Sequence, residues 1–226
     1  MDFDFTPYFK RYEQLVAAVD ATFERVRNQY PDCVKCEVTC SDCCHAVFDL
    51  TLIEALYINH QFHQKFGKKE METEKSQMLE KANKADRLVY KIKKNAYRQL
   101  QEGKPEAEII ADVGKERIRC PLLSEAEKCD LYEFRPITCR LYGIPTAISG
   151  KGHTCAKSAF KPGEPYPTVN LDTLHTRLYE ISGDMVKALG SKHIKMKEML
   201  VPLSMSLLTV YDEDYMGIAK PEEKNE

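Results

Sequence analysis

The chain has 226 residues, 43% of them hydrophobic and 30% charged, and a formal net charge of −2. That length supports a real hydrophobic core, so the molecule need not be a disulfide-stapled miniprotein. The charge balance provides no global basic field for nucleic acid, and no apolar run approaches the length of a membrane span.

The N-terminus carries Asp2 and Asp4 and lacks the basic-then-apolar pattern of an export signal, which predicts a cytoplasmic, reducing location. From about Tyr8 to Tyr30, the residues Tyr12, Leu15, Val16, Val19, Phe23, Val26 and Tyr30 recur at three- and four-residue steps. They predict one face of a helix, stopped by Pro31. "HAVFDL" reads as a short strand, and Thr51 with Glu54 has capping-box spacing for a helix through "LIEALYINHQF". A long helix is expected from Glu70 to Gln101, ending at Gly103, with Leu79, Ala82, Leu88, Val89, Ile92, Ala96 and Leu100 as its buried stripe. Pro105 to Ile118 suggests another short helix. Pro136 opens a further one in "PITCRLY", closed by Gly143.

After the Pro-rich connector Phe160 to Asn170, two helices are expected, about Leu171 to Leu189 and Ser191 to Val210, the second disturbed near Pro202. The fold class is mainly α: a helical domain with an irregular cysteine-rich metal-binding patch and at most short strands. One domain spans 1–226, with a cysteine-cluster core at 33–155, flanking helices at 1–32 and 171–210, and a disordered tail at 219–226.

Nine cysteines are unusual, and an odd count is awkward for complete pairing. Five fall in "CVKCEVTCSDCC", as Cys33, Cys36, Cys40, Cys43 and Cys44. Cys120, Cys129, Cys139 and Cys155 follow at gaps too wide for a zinc knuckle, so folding must gather them. Thiolates bind zinc, copper(I) and iron–sulfur clusters. Buried free cysteine can be a small hydrophobe, but the polar, clustered "CSDCC" does not fit that role. Adjacent side chains tend to diverge, so the Cys43–Cys44 pair suits two centres or a polynuclear one. Cys139 falls near the start of its short helix, where the dipole favours thiolate. Arg119, Lys128, Arg135, Arg140, Lys151 and His153 flank the second group and would offset the charge of a thiolate-ligated centre.

Other chemistries fit less well. Cys36-x3-Cys40-x2-Cys43 has radical SAM spacing, but no series of strand–helix units accompanies it. Ser41 stands where a haem attachment motif needs its first cysteine. His45 beside Cys44 and His153 near Cys155 are ligand-shell or surface histidines rather than members of catalytic pairs, because such pairs are joined by folding and not by adjacency. No catalytic residue is identified. His60, His63, His175 and His193 read as surface positions. Met71, Met78, Met196, Met199 and Met205 read as core packing. "KIKK" and "KHIKMK" read as solvated helix faces.

"CEVTCSDCC", then "CPLL", "CDLYEFRPITCRLYG" and Cys155, resembles the YkgJ-type cysteine cluster family, a zinc- or iron-chelating domain with a CxxCxxCC-like signature. The resemblance spans about Cys36 to Cys155. It implies a metal site on Cys36, Cys40, Cys43, Cys44, Cys120, Cys129, Cys139 and Cys155, with Cys33 as an extra. One relative, the flagellin lysine methylase, implies that some members modify proteins, though this chain has no separate methyltransferase signature. The number of thiols, the adjacent pair and the basic neighbours favour an iron–sulfur cluster over zinc. An iron centre implies a redox or protein-modifying role, and zinc a structural or metal-handling one. The expected partners are a protein or small molecule, with no nucleic acid and no membrane.

Overall fold

The computed structural model describes residues 3–37 and 40–218, so the tail expected at 219–226 lies outside the described residues. The first helix, α1 (Thr6–Gln29), carries Pro7 in its opening turn and ends at Tyr30, one residue before Pro31. It buries Tyr12, Val19 and Val26, three of the seven residues of the anticipated stripe. The others are partly buried against the same core.

Strand β1 (Asp49–Thr51) runs directly into α2 (Leu52–Phe66) through a complete capping box. Leu52 to Ile58 are buried without a break. A helix apolar on every side belongs inside a protein, and α2 is this fold's central helix. Its Leu52, Ile53, Leu56 and Tyr57 face a core shared with α1. Ile58, Phe62 and Phe66 face a second core with Leu50, Met78, Ala82, Leu122 and Leu131.

The long helix α3 (Glu72–Gln101) is preceded by a 3₁₀ turn at Lys69–Met71. It buries Met78, Ala82, Ala85 and Val89. Leu88 and Leu100, expected inside, are 48% and 47% exposed, which corrects the predicted stripe. The helix packs against α2 and the short α7 (Leu203–Leu208), while further along it meets α4 (Glu106–Val113), which is shorter than predicted. Gly103 stops α3 with φ +86°, the left-handed conformation that glycine adopts without strain.

The predicted short helix after Pro136 is α5 (Ile137–Leu141). A small sheet follows, in which β2 (Thr146–Ile148) pairs antiparallel with β3 (Lys151–His153) and parallel with β4 (Val169–Asn170). The helix α6 (Leu171–Ala188) starts at an Asn170 cap whose side chain accepts from the Thr173 N–H. The expected helix over Ser191–Val210 is instead a 3₁₀ segment (Ile194–Glu198), strand β5 (Leu200–Pro202) and α7. Pro202 lacks an N–H and would break a helix at its fourth turn. The chain extends here and pairs Val201 with Leu50 of β1. Among the described residues no helix is long and apolar enough to cross a membrane.

Candidate metal centre

All nine cysteines are free thiols. The first group lies on the loop after α1 and on a 3₁₀ turn at Asp42–His45, which carries Cys43 and Cys44. The second group begins where the chain returns after α4. There the Cys120 N–H donates to the Cys44 carbonyl at 2.7 Å, and the Ile118 N–H donates to the His45 carbonyl at 3.0 Å. Two main-chain bonds therefore join the thiol segments, more than seventy residues apart in sequence. Side chains add to the seam. Arg117 donates to the carbonyl and carboxylate of Asp42 at 2.9 and 2.8 Å. Ser41 Oγ donates to Glu127 at 2.6 Å, and Arg119 holds the other oxygen of that carboxylate at 2.8 Å.

Cys129 is presented by a tight reversal in which Leu123 faces Cys129 across an antiparallel bridge. Glu127 takes φ +55° at that turn, a left-handed conformation rare for glutamate. Its carboxylate, bonded to Ser41 and Arg119, anchors the residue there. Cys139 sits in the first turn of α5, whose N-terminus is held by a group that sequence reasoning treated as a local cap. Glu54 accepts from Thr51 N–H and Thr51 Oγ, and its other oxygen accepts from the Ile137 N–H at 3.1 Å. The C-terminal half of α5 is fixed by buried Arg140, which donates to the Asp20 carboxylate at 2.6 Å, to the Arg135 carbonyl at 2.7 Å and to the Glu133 carbonyl. Cys155 lies in the turn after β3, its sulfur accepting from Lys157 N–H at 3.4 Å.

These elements surround two cavities. The larger, about 630 Å³, is lined by Cys36, Cys40, Cys43, Cys44, Cys129, Cys139 and Cys155. The smaller, about 60 Å³ and mostly apolar, is lined by Cys43, Cys44, Cys120, Cys129 and Cys139. Four thiols thus stand on both walls. Gly143 leaves room for Cys36 on the larger wall: a Cβ there would lie 2.1 Å from the Cys36 sulfur. Cys33 lines neither cavity; it packs against the core, and its carbonyl accepts from Ala159 N–H. His45 and His153 also lie off both walls. Among the described residues no three His, Cys, Asp or Glu side chains converge closely enough to hold one ion. The thiols ring the cavities rather than meeting at a point.

Burial and neighbouring charge set the thiols apart from one another. Desolvation, followed by the charges of Cys43, Cys120 and Cys129, pushes the Cys139 thiol well above its usual range. Cys43 and Cys44 act on one another. The Cys44 side chain favours the Cys43 thiolate, bringing Cys43 down to about 7 despite its burial, while Cys44 is driven up. Desolvation raises Cys36 to about 11 and Cys120 to about 12.

Of the six anticipated cations, Arg135 faces both cavities and favours the thiolates of Cys36, Cys43, Cys129 and Cys139. Its guanidinium is stacked 3.6 Å from the Tyr132 ring centroid and donates through Nε to the Tyr132 carbonyl. Lys128 lines the larger cavity. Arg119 lines the smaller and is tied to Glu127 and the Ser124 carbonyl. Arg140 also lines the larger cavity, with its donors committed to Asp20 and to the Arg135 and Glu133 carbonyls. Lys151 and His153 lie exposed on β3, away from either wall. The donor set is soft and sulfur-rich, with a fixed cation beside it, which fits a thiolate-bound metal.

A family model described as "CxxCxxCC: Putative zinc- or iron-chelating domain" matches residues 33–156, more than half of the chain. No curated protein and no solved structure matches.

Proposed function

Because the chain belongs to the CxxCxxCC family of zinc- or iron-chelating domains, we propose that Cys36, Cys40, Cys43, Cys44, Cys120, Cys129, Cys139 and Cys155 hold its metal as an iron–sulfur centre with a redox role. The observation that carries this reading is the gathering of all eight thiols around two cavities with a common wall. Eight thiols exceed the four that complete a structural zinc site. When bound, an iron–sulfur cluster supplies one-electron redox chemistry. The chain's own contribution is to position the thiols and to place the Arg135 guanidinium where it offsets their negative charge.

Anaerobic purification followed by elemental analysis and a visible spectrum tests this. A brown protein containing iron and acid-labile sulfide is the expected result. A colourless protein with stoichiometric zinc and no iron would replace the redox role with a structural or metal-handling one. Cys139→Ser should lower metal content severalfold, because it removes one of the proposed thiolate ligands. Full metal content in that variant would remove Cys139 from the site.

A further inference from the structure

We propose that the exposed face of α3 docks an acidic amphipathic helix of a partner protein. Arg87, Lys91, Lys94 and Arg98 follow one another at steps of four, three and four residues, so they form a single stripe about 16 Å long. All four are exposed. Among the described residues Arg87, Lys91 and Lys94 have no carboxylate partner, and Arg98 has only Glu102 at 3.8 Å. Lys93, by contrast, is turned aside and bonded to Asp49 at 2.8 Å. Tyr90 and Tyr97, 63% and 65% exposed, stand seven residues apart along one margin of the stripe.

Two independent features therefore meet on this face. From Lys81 to Arg98 the helix carries seven Lys and Arg against Asp86 alone, in a chain whose net charge is −2. Tyrosine and arginine together are the side chains most enriched at the energetic centres of protein interfaces. The charge selects an acidic partner, and the spacing selects its form. The cations repeat at the helical period along a ridge, so carboxylates at the same steps of a facing helix meet each in turn, and one apolar residue per heptad reaches each tyrosine. Single-stranded nucleic acid is held in basic grooves with closely spaced stacking platforms. Here the tyrosines stand about 10 Å apart on a convex surface.

The probe is a synthetic Glu-rich amphipathic helix of about 20 residues with one leucine per heptad. Its binding to the full chain is followed by fluorescence anisotropy at low salt. The expected result is saturable binding that weakens at least about tenfold in R87E/K91E/K94E and about fivefold in Y90A/Y97A. It should be unchanged in K192E/K195E/K197E, which reverses a basic cluster elsewhere. Circular dichroism shows whether each variant keeps its helices. Equal losses in the control variant, equal binding of a Gln-for-Glu peptide, or tighter binding of a single-stranded oligonucleotide would each overturn the proposal. Because metal content is not part of the readout, failure here leaves the metal reading untouched.

Discussion

Glu54 accepts three hydrogen bonds in a place where it is only 5% exposed. Its removal strands the Thr51 and Ile137 N–H groups, so Glu54→Ala should cost about 3 kcal/mol, read from the denaturation midpoint. Desolvation raises its pKa despite these donors. Over the interval from the usual value of about 4.3 up to the raised folded value, the folded protein keeps a proton that the unfolded chain has released. Stability contributed by that proton therefore falls as pH rises across the interval. Glu54→Ala should flatten this pH dependence, and an unchanged slope would assign it to another group. Glu54 also shows where sequence reading stops. Its capping of Thr51, three residues away, follows from spacing. Its bond to Ile137, 83 residues on, does not. Asp42, Arg117 and Glu127 belong to the same class: nothing local marks them, because their partners arrive only through folding.

Elements were legible to the extent that their surroundings are uniform along their length. α1 and α6 each pack one continuous face and were located to within two residues, whereas α2 was found from its capping box and runs four residues beyond the apolar segment that suggested it. α3 was found as a helix, and its Ala82 and Val89 are buried as expected, but Met78 and Ala85 are covered where Leu88 and Leu100 are exposed, because the position of its neighbours α7 and α4 determines which apolar residues are covered. The region after Ser191 was misread as one helix because pairing of Val201 with Leu50 outweighs helical periodicity once Pro202 has broken it. The thiols themselves were legible from chemistry, and α5 from Pro136, but the closeness of Gly143 to Cys36 was not. Gly143→Ala should force the Cys36 side chain to turn away, since a Cβ would also lie 3.4 Å from the Phe23 ring. The expected outcome is reduced metal content with the denaturation midpoint shifted by about 1 kcal/mol or less. An unaltered metal content would take Cys36 out of the ligand set.

At the scale of the molecule, two apolar cores meeting across α2 support the cysteine segments from behind. This differs from small zinc modules, which unfold when the ion is removed. Stripping the metal with a strong chelator should lower Tm, because an ion bound to the folded state alone stabilises it by mass action. Far-UV circular dichroism at room temperature should nevertheless keep its helical signal. Loss of that signal would mean that the ion rather than the cores sustains the helices. The reason to expect its retention is the seam at Cys120 and Cys44. Main-chain bonds and the Arg117–Asp42 pair keep the two cysteine segments side by side whatever fills the space between them. A protein built this way can be emptied and refilled without its polypeptide having to search again for its own shape. On that expectation its loading would answer to the supply of metal in its surroundings, as a lasting receptacle rather than a rivet set once at birth.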